Sequence, residues 1–307
     1  MFWKRFLPIA GVAVLSGVSG ICAAQTPTDK AADIEEVSLA SKVFHNTRTL
    51  RVLLPPHYHD PASRSQKYPV FYFTDGIAVF HGRQLDHIAS NLMRTGKIPP
   101  MIFVGIDNGG STRESRNPGT DRASEYLPFE DKFLEPPLPN PQGRLFPQFL
   151  EDEVRPAIDG KYRTTKEAGL GGASYGAEIA LYTAMERPGH YRWLYLESPS
   201  LYVHDDALLL RAQDFHQWPT HIYIGAGTAE GSGGTGQEMV DDVTRLYKII
   251  EHQTQSCLLI APGAHHEEEA WRARLPYALD VLLGNASCYR KRDYTTDLWP
   301  LRSRYYL

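Results

Sequence analysis

Apolar and polar residues follow two distinct patterns in the first third of the chain. Residues 36–44 and 48–54 alternate between apolar and polar side chains, which is typical of two half-buried strands that pair antiparallel. Residues 68–74 and 101–106 are instead continuous apolar runs, and each is followed by a turn that begins with Asp. Such runs indicate parallel strands buried on both faces, with functional loops at their carboxyl ends. The pattern therefore predicts a parallel sheet with an antiparallel N-terminal edge.

Strands and helices alternate in the rest of the chain. Short apolar runs predict further strands at 193–196, 221–224 and 256–260. Apolar residues at helical spacing predict helices over about 81–95, 149–158, 241–252 and 267–283. This alternation indicates a mostly parallel, doubly wound α/β sheet with helices on both faces. Because no repeat or linker interrupts it, residues 25–307 are expected to form a single domain.

The region from residue 109 to residue 147 has a different composition. It is rich in Gly, Pro, Arg and Glu, and it is longer than an ordinary connection. We predict a loop excursion over the functional edge of the sheet, with Arg122, Glu125 and Tyr126 as candidate substrate contacts. The alternative is a solvated loop without a binding role.

The first 24 residues have the features of a secretory signal peptide. Lys4 and Arg5 precede an apolar run over residues 7–21, and Cys22-Ala23-Ala24 follows it. The run is short and rich in Gly and Ser for a membrane span. Cys22 raises the alternative of a lipoprotein, although Ile21 is larger than the small residue that such a cleavage site needs. The sequence therefore predicts a periplasmic or secreted protein with no membrane span in the mature chain.

Composition argues against several other functions, including nucleic-acid binding and metal binding. Without Lys4 and Arg5 the chain carries 30 of its 32 basic residues and all 36 acidic residues, so it offers no nucleic-acid surface. No His, Cys and carboxylate cluster has metal-ligand spacing, and the Gly-rich residues 231–236 lack the context of a phosphate loop. Neither a metal nor an organic cofactor is expected. Cys257 and Cys288 form either a disulfide or two free thiols.

One motif carries the strongest chemical signal. The residues Gly172-Ala-Ser-Tyr-Gly176 follow an apolar run and precede an alanine-rich helical pattern. A G-x-S-x-G motif at a strand-to-helix turn is typical of a nucleophile elbow, in which the strained turn exposes the serine. The motif is short enough to occur by chance in a Gly-rich chain, but its place between strand and helix favours function. Ser174 is therefore the candidate nucleophile.

In proteins with a nucleophile elbow, the serine, the acid and the histidine follow one another in this order along the chain. The acid and the base should therefore follow later strands. His265 and His266 follow the last predicted strand and precede a helix, and His266 is the preferred base. Glu230 follows the preceding strand and is the preferred acid. Three carboxylates of the next helix are its rivals: Glu238, Asp241 and Asp242.

Acyl transfer also needs donors for the developing oxyanion. One backbone N–H is expected from Tyr175, the residue after the nucleophile. The second is expected from the loop that follows an early strand, where Asp75 and Gly76 form a turn before Ile77.

These motifs resemble those of the enterochelin-esterase-like group of α/β-hydrolases, which includes esterase D, feruloyl esterases and the antigen 85 mycolyltransferases. The resemblance covers most of residues 25–307 and rests on the following stretches: residues 54–58, 68–76, 104–108, 122–128, 172–176, 197–200 and 227–230, and Trp271 five residues after His266.

The resemblance implies an α/β-hydrolase fold with Ser174 as nucleophile, His266 as base and Glu230 as the orienting acid. It also implies Ile77 as the second oxyanion donor, and it adds Trp271 to the candidate substrate contacts. His265 departs from the group's pattern.

The combined prediction is an exported serine esterase without a cofactor. Its substrate would be a small-molecule or polysaccharide-linked ester, such as a siderophore, a feruloyl or acetyl polysaccharide, or a simpler ester. Two alternatives stay open: an acyltransferase that uses the same site, and a non-catalytic binding protein on the same fold. The sequence does not specify an oligomeric state.

Overall fold

A computed structural model of the chain describes residues 33–130, 138, 141–231 and 236–288. The predicted signal peptide, residues 1–24, lies outside the described residues, so export stays a prediction.

Eight strands of the described residues form one sheet. They are β1 (Asp33–Ser41), β2 (Asn46–Leu54), β3 (Tyr68–Thr74), β4 (Ile102–Ile106), β5 (Thr164–Ala173), β6 (Trp193–Glu197), β7 (His221–Gly227) and β8 (Gln255–Ala261). Their spatial order is β1-β2-β4-β3-β5-β6-β7-β8. β2 pairs antiparallel with both β1 and β4, and the other neighbouring strands are parallel. The predicted parallel sheet with an antiparallel N-terminal edge is confirmed.

Helices cover both faces of this sheet. They are α1 (Leu85–Arg94), α2 (Pro118–Tyr126), α3 (Phe146–Phe149), α4 (Arg155–Lys161), α5 (Tyr175–Glu186), α6 (Val203–Gln213), α7 (Gln237–Ile250) and α8 (Glu268–Leu283), with short π-helical turns at Ala78–Gly82 and Leu150–Val154. α1 and α8 pack on one face, and α3 to α7 pack on the other. The chain is therefore doubly wound, as the sequence predicts.

The apolar runs reflect burial on both faces of the central strands. On β3, Val70 and Tyr72 lie in the core under α3 to α7, whereas Phe71 and Phe73 lie in the core under α1 and α8. All four side chains are buried. Since successive side chains of a strand point to opposite faces, a strand covered on both sides must be apolar at every position.

The prediction of a loop is wrong for part of residues 109–147. These residues include α2, which begins at Pro118 where a missing backbone N–H costs nothing. α2 is short and weakly apolar, so its helical pattern is inconspicuous. Ion pairs join α2 to Arg48 of β2 and to Asp75, which follows β3. α6 is also absent from the prediction, and it is interrupted by three left-handed residues at 204–206.

A disulfide joins Cys257 of β8 to Cys288, which lies beyond the end of α8. The two Cα atoms are 5.4 Å apart, and the bond closes a loop across 31 residues of sequence. Of the two possibilities left by the sequence, the structure thus has the cross-linked one, and the bond ties the end of α8 to the sheet.

Replacing Cys288 with Ser is expected to lower the free energy of unfolding by about 2 to 4 kcal/mol, because the cross-link restricts the unfolded chain. Urea unfolding of wild type and variant, each with and without dithiothreitol, measures this. Wild type under dithiothreitol should match the variant, and equal midpoints in all four samples would contradict the prediction.

Asp242 on α7 lies in a crowded group of charges. Arg245 Nη1 donates to Asp206 Oδ2 at 2.6 Å and to Asp242 Oδ1 at 3.3 Å. Burial and the Asp206 charge raise the pKa of Asp242 to about 6, against the opposing effect of Arg245. A carboxyl whose pKa is raised by folding stabilises the fold below its unfolded pKa, and this contribution is lost as pH rises through 6.

Asp242→Asn is accordingly expected to stabilise the protein at pH 8 by about 1 kcal/mol relative to its effect at pH 4, since partial solvation reduces the full cost of the charge. Urea unfolding at the two pH values measures the difference. Asp241→Asn, at the exposed neighbouring position, is the control. An effect of Asp242→Asn that is identical at both pH values would refute this reading of the site.

Candidate active site

Ser174 occupies a strained turn between β5 and α5. Its backbone has φ 58° and ψ −130°, a conformation that side chains other than Gly rarely adopt. A Cβ at Gly172 or Gly176 would overlap with Thr74 Oγ1 of the neighbouring strand. The flanking glycines therefore let the strand and the helix approach closely enough for the turn to form.

Backbone hydrogen bonds join the loops that follow β7 and β8. The N–H of Thr228 donates to the C=O of Ala261, and the N–H of Ala229 donates to the C=O of Ala264, both at 3.0 Å. Glu230 and His266 follow directly on these two loops. The pairing of the loops thus fixes the separation of the two side chains.

Glu230 and His266 contact each other, as the sequence predicts. Glu230 Oε2 lies 3.1 Å from His266 Nδ1. The Glu230 side chain is fully buried, whereas 32% of the His266 side chain is exposed. The imidazole therefore has one nitrogen against a buried carboxylate and reaches solvent elsewhere. His265 is exposed, and it is His266 that pairs with the acid.

The rival carboxylates lie along α7, and two of them pair with groups of α7 itself. Asp242 pairs with Arg245, and Asp241 accepts a hydrogen bond from Gln237 at 2.7 Å. Glu238 is exposed.

Three donors hold the second oxygen of Glu230. Oε1 accepts hydrogen bonds from the Gly227 N–H at 2.5 Å, from Ser198 Oγ at 2.9 Å and from Arg274 Nη2 at 3.2 Å. One carboxylate oxygen thus fixes the side chain, and the other faces the imidazole.

Trp271 lies beneath the imidazole. Its indole N–H donates to Ser198 Oγ at 3.0 Å, and its ring meets the His266 ring edge to face, with centroids 4.9 Å apart. The guanidinium of Arg83 lies 5.2 Å from the Trp271 centroid. Trp271 is 7% exposed, so it packs against the imidazole and has little accessible surface of its own.

The turn after β3 is held by α2. Asp75 has φ 56°, and its carboxylate accepts two hydrogen bonds from Arg122, at 2.8 and 2.7 Å, and one from Asn108 Nδ2 at 2.6 Å. The Asp75 N–H donates to the Tyr126 hydroxyl at 3.0 Å. Burial opposes ionisation of Asp75, but the Arg122 guanidinium outweighs it and lowers the pKa of this carboxyl.

A buried ion pair anchors α2 itself. Glu125 accepts hydrogen bonds from both terminal nitrogens of Arg48, at 3.0 and 2.5 Å. Burial raises the pKa of Glu125 even though Arg48 opposes this. Of the three substrate contacts predicted within residues 109–147, Glu125 and Tyr126 are therefore interior, and Arg122 is partly exposed, at 27% of its side chain.

The two predicted oxyanion donors lie on different elements. Tyr175 is the first residue of α5, so its backbone N–H is at a helix N-terminus next to Ser174. Ile77 lies just beyond the Asp75 turn and is 38% exposed. Burial raises the pKa of the Asp107 carboxyl, and the nearby Ile77 backbone opposes this.

Sequence reasoning missed several residues of this site. Ser198 joins Glu230 to Trp271, and Ser200 Oγ lies 3.5 Å from Ser174 Oγ. Both follow β6, whose neighbours in the sheet are β5 and β7. Their place after a parallel strand was a usable signal, because the carboxyl ends of parallel strands share one edge.

Neither a metal site nor a membrane span is present among the described residues. Within the ranges given above, no three His, Cys, Asp or Glu side chains are placed to bind a metal ion. None of the helices described there combines the length and apolar character of a membrane span.

The order of the strands, the elbow serine and the acid and histidine on later loops define an α/β-hydrolase. Residues 41–282 match the family model Esterase, described as "Putative esterase", and the chain belongs to this family. Membership of this family supports an ester hydrolase.

Several proteins are similar to this chain at low sequence identity. The protein YjcH of Bacillus subtilis is 24% identical over 258 residues, which cover 81% of this chain and 97% of the relative. The siderophore hydrolase EstB of Aspergillus nidulans is 16% identical, with a TM-score of 0.67 and coverage of 86% of this chain and 98% of that one. The IroE-like serine hydrolase of Shewanella oneidensis is 21% identical, with a TM-score of 0.62 and coverage of 80% and 78%.

Arg122→Ala is expected to lower kcat/KM by about tenfold or more on neutral and anionic esters alike, because the Asp75 turn loses its clamp and reacting groups are displaced. Steady-state kinetics on a matched pair of esters measures this. Arg64→Ala, at an exposed arginine before β3, is the control. A loss confined to KM for the anionic ester would instead assign Arg122 to substrate contact.

Proposed function

We propose that the protein is an exported serine esterase that hydrolyses a carboxylic ester through an acyl-enzyme. The observation that carries the proposal is the contact of buried Glu230 with His266 Nδ1 at 3.1 Å, at the sheet edge where Ser174 occupies its strained turn. A nucleophile, a base and a group that orients the base are the components that acyl transfer needs.

In the first half-reaction His266 Nε2 takes the proton of Ser174 Oγ as Oγ bonds to the ester carbonyl carbon. The carbonyl π electrons move onto its oxygen. When the tetrahedral intermediate collapses, the bond to the alkoxy group breaks, and His266 returns the proton to the leaving alcohol. Glu230 stabilises the imidazolium that forms between these steps and holds the ring through Nδ1.

In the second half-reaction water attacks the acyl carbon. His266 takes a proton from this water, a second tetrahedral intermediate forms, and the bond from the acyl carbon to Ser174 Oγ breaks. The proton returns to Oγ, and the carboxylic acid leaves. The N–H of Tyr175 is proposed to donate to both oxyanions. The N–H of Ile77 is the proposed second donor.

The disulfide supports the proposal of export. Structural disulfides form and persist in oxidising compartments, which agrees with the predicted signal peptide of residues 1–24. Similar solved structures carry the names ferulic acid esterase, siderophore hydrolase and enterobactin esterase. A small-molecule or polysaccharide-linked ester of this chemical range is the proposed substrate.

The test is hydrolysis of an ester panel, from p-nitrophenyl acetate to feruloyl esters and a siderophore trilactone, by wild type, Ser174→Ala and Glu230→Gln. Ser174→Ala is expected to lose turnover on every ester. Glu230→Gln is expected to lower kcat by about 10²- to 10⁴-fold with the fold retained, since the amide no longer supports the imidazolium. The ranking of esters by kcat/KM identifies the substrate class.

Asp241→Asn is the matched control, because it removes an exposed carboxylate of α7 and should retain wild-type turnover. Activity that survives in Glu230→Gln and vanishes in Asp241→Asn would overturn the assignment of the acid. If Ser174 is labelled by a fluorophosphonate but no ester is turned over, alcohol acceptors in the assay would reveal acyl transfer.

A further inference from the structure

A second buried carboxylate shares the arginine that contacts Glu230. Arg274 donates to Glu197 Oε1 through Nε at 3.0 Å and lies 2.9 Å from it through Nη2, which also donates to Glu230 Oε1 at 3.2 Å. The side chains of Glu197 and Glu230 are fully buried, and that of Arg274 is 3% exposed. All three groups are therefore removed from water and interact strongly.

The composition of this cluster gives it a defined charge. With both carboxylates ionised, the two carboxylates and the guanidinium carry one net negative charge, next to the imidazole that must become positive during the proposed reaction. Burial raises the pKa of Glu197, although Arg274 opposes this. The other nearby guanidinium, Arg83, is already bound by Glu268 at 2.8 and 3.2 Å. Among the residues the structure describes, Arg274 is thus the cation that contacts Glu230.

We propose that Arg274 is a positioning residue for the acid of the site, and that Glu197 balances its charge. Arg274 holds Glu230 Oε1 so that Oε2 meets His266, and Glu197 prevents Arg274 from neutralising Glu230. The cluster then keeps one negative charge with which to stabilise the imidazolium. This inference rests on the proposed function of Glu230 and His266.

Arg274 and Glu197 affect the protonation of the imidazole in opposite senses. If Arg274 is removed, two carboxylates favour the protonated ring, so the base becomes available only at higher pH. If Glu197 is removed, Arg274 offsets Glu230 and the ring loses its proton at lower pH. The other titratable groups that face the cluster are kept in both variants: Tyr195 and Tyr223 beside Glu197, Arg83 and Glu268 beside Trp271, and the neighbouring His265 and Glu267.

The test uses the rate at which a fluorophosphonate inactivates the enzyme, measured against pH, because this rate depends on the deprotonated base and needs no knowledge of the substrate. Arg274→Gln is expected to move the midpoint of the acid limb up by about one pH unit, and Glu197→Gln to move it down by about as much. Arg274→Lys keeps the charge and should stay nearer to wild type than Arg274→Gln.

Arg192→Gln is the matched control, since it removes an exposed arginine that pairs with Glu167 at the amino end of β6, away from the site. It should leave the midpoint unchanged. Shifts of the two single variants in the same direction, or wild-type midpoints in both, would overturn the proposal. A purely structural role would lower the rate without producing opposite shifts.

The double variant Arg274→Gln/Glu197→Gln covers the case in which Arg274→Gln does not fold. It keeps the net charge of the cluster, so its midpoint should return close to that of wild type, and a midpoint that coincides with that of Glu197→Gln would contradict charge balance. Failure of the proposed function is recognised separately. Full activity in Glu230→Gln would show that Glu230 is not the acid of the site. Loss of activity in Glu230→Gln, together with unshifted midpoints in the Arg274 and Glu197 variants, would refute this inference alone.

Discussion

Buried carboxylates set the constraint on which this structure depends. An unpaired carboxylate in the interior costs several kcal/mol, so each buried one must meet a cation or several donors. At the carboxyl edge of the sheet, Asp75 meets Arg122, Glu125 meets Arg48, and Glu230 meets Arg274. Each pair joins elements that are distant in sequence. The charges that would destabilise the edge if unpaired thus hold its loops in one arrangement.

This constraint has a chemical consequence for an ester hydrolase. Glu230 is held through one oxygen and meets His266 through the other, while Trp271 supports the ring from below. Such preorganisation means that little rearrangement is needed when charge develops on the imidazole. The strained conformation of Ser174 is maintained in the same way, by the close fit of β3, β5 and α5 around its glycines.

Much of the fold was predictable from the sequence because burial in a sheet produces recognisable local patterns of apolar and polar residues. Continuous apolar runs predicted the central strands, and alternation predicted the antiparallel edge. α2 was not predicted because the ion pairs that join it to β2 and to the Asp75 turn leave no periodicity in its own nine residues. The same reason explains why Tyr126, predicted as a substrate contact, lies under that turn.

Local sequence patterns were enough to place the candidate nucleophile, acid and base together, since groups that follow parallel strands meet at one edge of the sheet. Three pairings were visible only in the folded protein: His266 rather than His265 contacts Glu230, Cys257 is joined to Cys288, and Arg274 contacts two carboxylates. A local pattern records whether a side chain is buried. The identity of its partner depends on elements that folding brings together from distant parts of the chain.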